Sequence, residues 1–298
     1  IDAASSRDLS FPITLSGTAT AVDDYTTTFA SQGEETLKMV IDENNNSYSS
    51  FSYYEGKYIF IDENYLRVFD PVAQTTNQYN FQNYIGGSKK VISGDYLYYY
   101  YDNSIKKIDI SDFTSISTSE PTEIISTTSP ISIGGGFDVI EGTIYYQTYQ
   151  NITGVWRVYS LVEGQDPVQI DVNQQFDGFF KINNTLYSFG NGTEINEYSN
   201  GEFMQSTFYS NINIYYDSFT VNNGKLYLRD KQSSPYNIYE ANFNTPTPSV
   251  EYTQLNYSLG PNTNTIQGFD FDSVTGELLL YNQSTVGIYS VFSYQLST

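Results

Sequence analysis

KVISGDYLYYYYDNSIKKIDI, residues 90–110, holds three short strands in a row. KVIS stops at Gly94, YLYYYY follows, Asp102-Asn103 interrupts it, and IKKIDI resumes the alternation. Apolar or aromatic residues at every second position mark a pleated chain with one face buried. Gly94 tolerates the positive φ of a two-residue hairpin turn, so it reads as a reversal and not as a break in a helix. The stretch therefore predicts three antiparallel strands joined by tight turns.

Five more copies of the pattern occur. They are SYYEGKYIFIDENYLRVFD from Ser52, DVIEGTIYYQTYQNITGVWRVYSL from Asp138, FKINNTLYSFGNGTEINEYSN from Phe180, FTVNNGKLYLRDKQSSPYNIYEAN from Phe219 and FDFDSVTGELLLYNQSTVGIYSVFSYQL from Phe269. Their turn residues are Gly56, Gly94, Gly142, Asn184, Gly224 and Gly276, at spacings of 38, 48, 42, 40 and 52 residues. A period of about 40–50 residues is that of a four-stranded propeller blade. Weaker runs between the copies (TTNQYNF, TEIIS, PVQIDV, FMQSTFY and VEYTQLN) supply a fourth, outer strand, where less burial is needed. The last copy ends one strand short. EETLKMVID, Glu34 to Asp42, can supply that strand and close the ring, removing an edge that would otherwise invite aggregation. The reading is an all-β chain: a β-propeller of six blades of four antiparallel strands over residues 34–298, preceded by a segment 1–33. A seventh blade would require residues 11–42 to form one of their own, and a pair of β-sandwiches suits the regular period less well.

A second recurrence fixes the phase. GGFDV at Gly135, FDGFF at Phe176, YDSF at Tyr216 and GFDF at Gly268 each stand just before the first turn, where the innermost strand runs along the axis. Packing around the channel explains them; a ligand-contacting ring at the channel mouth is the sharper alternative.

Composition excludes much chemistry. Aromatic residues make up 17% of the 298 residues, with 30 Tyr and 19 Phe, which favours strands. With 34 Asp+Glu against 13 Lys+Arg, a net charge of −21 argues against nucleic acid or an anionic membrane surface as partner. Neither Cys nor His occurs, so disulfides, thiol nucleophiles, Ser-His-Asp triads and the usual zinc and iron sites are ruled out. Phosphate-cradling glycine loops and EF-hands are missing too. No apolar run is long enough to span a bilayer as a helix, and Ile1 to Ser10 lack a signal-peptide pattern, as expected of a mature form or an excised piece of something longer.

Sugar binding is the chemistry best supplied here, through aromatic faces for pyranose rings and Asn, Gln and Asp for hydroxyls. The loops between second and third strands share one face of a propeller and carry Tyr99, Tyr101, Asn103, Tyr149, Trp156, Tyr236 and Tyr281. Asp177 and Asp217, beside the innermost strands, complete the candidate set. Core packing is the competing reading for Trp156, Tyr99 and Tyr101. Catalysis would need two carboxylates about 5–10 Å apart at the channel mouth, and no local pair marks one, so the chain reads as a binder and not an enzyme. No cofactor is required; calcium is a candidate at Asp62 in the propeller.

Residues 11–30, FPITLSGTATAVDDYTTTFA, contain Ser16-Gly17-Thr18-Ala19-Thr20 followed by Asp23-Asp24-Tyr25-Thr26. This stretch resembles part of a Calx-beta repeat, a module strung along very large bacterial surface adhesins. The resemblance implies that residues 1–33 are the trailing part of a preceding domain and that Asp23 and Asp24 stand where a calcium-binding acidic pair would be. FDSVTGELLLY from Phe271 and VFDPVAQT from Val68 resemble hairpin turns in the Tyr- and Asn-rich propellers of bacterial surface proteins. That resemblance implies extracellular presentation as an adhesion module contacting a glycan or a cell-surface protein. A spacer without a small ligand and a carboxylate-based carbohydrate-active enzyme are the alternatives.

Overall fold

The computed structural model describes residues 35–41, 50–61, 65–81, 89–113, 120–172, 174–190, 194–209, 214–230, 237–243, 251–255, 263–284 and 289–294. Segment 1–33 with Asp23 and Asp24 lies outside the described residues, as do Asp62 and Tyr236.

Strand β1 (Glu35–Ile41) comes first and joins the last blade. Blade 1 is β2 (Ser50–Tyr54), β3 (Lys57–Ile61), β4 (Tyr65–Asp70) and β5 (Thr75–Asn80). Blade 2 is β6 (Lys90–Ser93), β7 (Tyr96–Tyr101), β8 (Ser104–Asp109) and β9 (Thr122–Ser126). Blade 3 is β10 (Ile131–Ile140), β11 (Thr143–Gln150), β12 (Val155–Val162) and β13 (Val168–Val172). Blade 4 is β14 (Gly178–Ile182), β15 (Thr185–Gly190), β16 (Glu194–Ser199) and β17 (Glu202–Tyr209). Blade 5 is β18 (Ile214–Asn222), β19 (Lys225–Asp230), β20 (Ile238–Asn242) and β21 (Glu251–Gln254). Blade 6 is β22 (Thr263–Phe271), β23 (Leu278–Ser284) and β24 (Tyr289–Tyr294), with β1 as its outer strand. The chain is a six-bladed β-propeller, and each inner strand packs against those of the blades before and after it.

Closure follows the sequence expectation: β1 pairs antiparallel with β24 from Glu35↔Tyr294 to Ile41↔Tyr289. Every turn residue named from the sequence has positive φ, from +55° at Gly94 to +79° at Gly142. In the β10–β11 hairpin both turn residues do, Glu141 at 50° and Gly142 at 79°, as a type I′ turn demands. No heavy atom lies within 4 Å of a Cβ built on Gly142, so Gly142→Ala isolates the conformational cost of the left-handed region. The expected loss is about 1–2 kcal/mol, seen as a melting temperature lower by a few degrees with binding unchanged. The two turns matched to surface-protein propellers are also local devices. Asp70 Oδ1 accepts from the Val72 and Ala73 N–H groups at 2.8 and 2.9 Å, and Asp272 Oδ1 from those of Val274 and Thr275 at 2.8 and 3.1 Å. Lys57, with the two N–H groups, holds the Asp70 carboxyl down at about 2.

The core is divided among the seams between blades. Ile59, Leu66, Leu97 and Ile108 meet between blades 1 and 2; Phe180, Phe189, Leu226 and Leu228 meet between blades 4 and 5; the other four seams hold clusters of the same kind. At about 1.5–3 kcal/mol per buried large side chain, hydrophobic burial between neighbouring blades holds the ring. Tyr does much of this packing, as where Tyr146 stacks on Tyr159 at 5.3 Å.

Candidate functional site

The six inner strands enclose an axial cavity of about 620 Å³. Its wall includes Glu141, Asn183, Asn184 and Gly224, which lie in the turns joining first and second strands, so it opens on that face of the ring. The loops favoured by the sequence reading, between second and third strands, lie at the opposite end.

Alternation along β10 sets the first polar element. Phe137 and Val139 pack into the seam with blade 2, which turns Asp138 toward blade 4. There Asp138 Oδ2 accepts from the Phe179 N–H at 2.6 Å and from Lys89 Nζ at 2.5 Å. Lys89 comes from blade 2, and its ammonium also lies 4.9 Å from the centroid of Phe219 on blade 5, across the ring. Gly178 makes room, since a Cβ there would stand 2.9 Å from Lys89 Nζ and 3.1 Å from the Phe219 ring. Both side chains of the Lys89–Asp138 pair are 9% exposed. Lys57–Asp70, Lys107–Glu163, Lys181–Glu141 and Lys225–Glu240 all keep a more accessible partner and contribute little. Burial pushes the Asp138 carboxyl up, and Lys89 and the Phe179 N–H pull it back.

Blade 6, opposite blade 3 in the ring of six, repeats the arrangement. Phe269 and Phe271 enter the seam with blade 5, and Asp270 turns toward blade 1. Its Oδ2 accepts from the Tyr53 N–H at 2.9 Å, and its Oδ1 from the Phe271 N–H at 2.9 Å. Among the described residues blade 5 contributes only the Thr220 hydroxyl, at 3.4 Å, where blade 2 gave Asp138 an ammonium. Asp270 is partly buried, and that burial, opposed only by hydrogen bonds, pushes its carboxyl up to about 6. Three of the chain's 13 cations, Lys89, Lys90 and Lys181, line the cavity with Asp138, Glu141 and Asp270, so this strongly acidic molecule has a charge-balanced interior here.

The structure redistributes the residues expected from sequence. Tyr99 and Tyr281, 4% and 1% exposed, pack in the seams and offer no ring face, a correction to their place as ligand contacts. Tyr99 and Tyr101 share one face of β7, toward the seam with blade 1; Tyr99 is buried there and Tyr101, at the end of the strand, is partly exposed. Trp156 is half-buried; its ring lies tilted against Tyr149, centroids 4.7 Å apart, and fills the space beside Gly134, where a Cβ would lie 2.6 Å from Cζ3. Trp156 and Tyr149 thus pack on each other and stay partly exposed at that end. Asn103 adopts φ 56° in the β7–β8 turn. Asp177 donates its backbone N–H to the Phe189 carbonyl at 2.7 Å and does not line the cavity. The Asp217 backbone belongs to β18, and its side chain lies outside the description. Asp138 and Asp270 were absent from the expected set, although GGFDV and GFDF had drawn attention to their segments. The distinguishing signal is an Asp between two hydrophobic residues that share a seam. Among the described residues no group of three or more acidic side chains is placed to hold a metal ion.

No protein-family model matches the chain, and no curated protein does either. Solved structures do. The WD40 β-propeller domain of Doa1 is 12% identical over 88% of this chain and 98% of its own, with a TM-score of 0.52. A luciferin-regenerating enzyme is 13% identical over 83% and 90%, with a TM-score of 0.54. A calcium-binding protein, regucalcin, from Agrobacterium tumefaciens is 10% identical over 84% and 90%, with a TM-score of 0.53. At these identities the likeness is one of fold, and the same fold carries binding modules and enzymes alike.

Proposed function

We propose that this chain is an extracellular adhesion module that recognises a glycan, with the axial cavity, in place of the opposite loop face, as the ligand's seat. The observation that carries the reading is the cavity itself: about 620 Å³, reached by all six inner strands, with the half-buried Phe219 on its wall together with Asn183, Asn184 and Asp270. A concave, partly apolar site with a few convergent polar groups is the usual form of a small-ligand site. A ring for a pyranose face and amides or carboxylates for hydroxyls fit a sugar residue. Exposure on a surface protein rests on the resemblances in sequence.

The test is a broad glycan array probed with the labelled chain, in parallel with Val221→Trp. Val221 is 38% exposed at the cavity wall, so a larger ring there fills the cavity without entering a seam. Binding to one polysaccharide class, weakened at least ~10-fold in Val221→Trp at unchanged melting temperature, is the expected result. Binding kept in Val221→Trp but lost in a Tyr101→Ala/Trp156→Ala variant would move the site to the opposite face. A blank array would end the glycan reading in favour of a protein partner or a spacer.

One observation favours a second reading, glycoside hydrolysis: Asp138 and Asp270 line one cavity from opposite blades. Asp138 is committed to Lys89, which leaves Asp270 without a second free carboxylate of the same kind. Product sugars released from a bound polysaccharide, and lost in Asp270→Asn, would establish it.

A further inference from the structure

We propose that Asp270 seats the ammonium group of an amine-bearing sugar in the axial cavity, the position that Lys89 fills for Asp138. The proposal deepens the glycan reading and rests on it for the sugar, though not for the amine.

The molecule contains its own precedent. Phe137-Asp138-Val139 and Phe269-Asp270-Phe271 sit on opposite blades, each with hydrophobic neighbours in the seam behind and its carboxylate on a backbone N–H of the blade ahead. For Asp138 the blade behind delivers an ammonium at 2.5 Å, held between the carboxylate and an aromatic face. For Asp270 the blade behind delivers a hydroxyl at 3.4 Å, and among the described residues no Lys or Arg reaches this carboxylate. The two carboxylates line the same cavity, so a ligand there meets one acid already neutralised and one that is not. An ionised carboxylate in a partly desolvated wall gains most from a hydrogen-bonding cation. The inter-blade N–H bonds explain why an Asp stands at position 270; they leave its negative charge uncompensated. A deacetylated amino sugar combines the hydroxyls suited to Asn183 and Asn184 with an ammonium suited to Asp270.

The experiment compares a glucosamine oligosaccharide, its N-acetylated counterpart and the simple diamine putrescine. Calorimetry gives affinities, and amide NMR shifts at Tyr53 and Phe271, whose N–H groups donate to Asp270, report the site. Three chains are used: the unmodified protein, Asp270→Asn and Thr220→Lys. Thr220→Lys brings a built-in ammonium from the blade behind, as Lys89 does for Asp138, and keeps the carboxylate. The glucosamine form is expected to bind at least ~10-fold tighter than the acetylated one, with shifts at both amides. Asp270→Asn should abolish that preference, so that the two sugars bind with equal affinity, which a merely structural role would not do. Thr220→Lys should abolish it too. Putrescine shifting the same amides while neither sugar binds would keep the ammonium seat and overturn glucosamine as its occupant. Equal affinity for the two sugars in all three chains would overturn the seat and leave the glycan reading standing. If none of the three probes binds, the seat falls, and the glycan reading is left to the broad array.

Discussion

Gly136→Ala is expected to destabilise the propeller by about 2–6 kcal/mol, the sum of overpacking at about 1–3 kcal/mol and damage to a buried amide clamp at about 1–3 kcal/mol. Gly136 stands in the irregular stretch of β10 between Ile133 and Phe137, where the register against β11 shifts. The side chain of Gln147, 1% exposed, grips the next blade there: its amide donates to the Phe176 carbonyl, and its Oε1 accepts from the Phe176 N–H at 2.9 Å. A Cβ on Gly136 would collide with the Phe176 carbonyl oxygen and stand 2.7 Å from Gln147 Nε2. The obstacle includes backbone, so the blade 3–blade 4 seam must open or the clamp must let go. At about 2–4 °C per kcal/mol for a large single domain, the melting temperature should fall by at least about 4 °C. Gly142→Ala, with open space around its new methyl, should lose much less. Equal losses in the two variants would show that the contact with Phe176 is unimportant and that backbone conformation alone matters.

The same clamp shows why the blades were legible in the sequence and their contacts with one another were not. Hairpins are local: Gly56, Gly142 and Asn184 lie between alternating runs a few residues long, and the chain around each contains all the information its turn needs. The closing strand was legible for a similar reason, because a ring one strand short has a single economical completion, which β1 provides. Seams pair residues dozens of positions apart. Gln147 and Phe176 are 29 residues apart, Lys89 and Asp138 49, and Tyr53 and Asp270 217. No local spacing announces such partners. Tyr99 and Tyr281 were misjudged on the same ground, since a Tyr in an alternating strand carries no mark of which seam will cover it. The candidate site moved to the other face because its defining acids, Asp138 and Asp270, gain meaning only when blades 3 and 6 stand opposite each other. Asp177 was the nearest the sequence came, in the matching segment of blade 4.

Lys89→Met should cost about 3–5 kcal/mol at pH 7, the usual penalty for removing one partner from a buried ion pair. Asp138, left in the channel with only the Phe179 N–H at 2.6 Å, keeps its desolvation and loses its counter-charge. The pH profile separates this cause from a simple loss of packing. Burial already pushes the Asp138 carboxyl up, and without Lys89 nothing but that N–H opposes the push. A carboxyl whose folded pKa lies above its unfolded value of about 3.9 carries no penalty below that value, where both states are protonated. As pH rises above it, the folded state loses stability until the folded pKa is passed. The Lys89→Met deficit should therefore shrink as pH falls from 7 toward 4. Lys89→Met/Asp138→Asn removes the charge but keeps an oxygen for the Phe179 N–H, and should recover most of the loss with a flat pH profile. Chemical denaturation of both variants across this range is the measurement. A deficit of equal size at every pH, unrelieved in the double variant, would mean that Lys89 acts in the channel as a spacer beside Phe219 and Gly178 and not as the charge partner of Asp138.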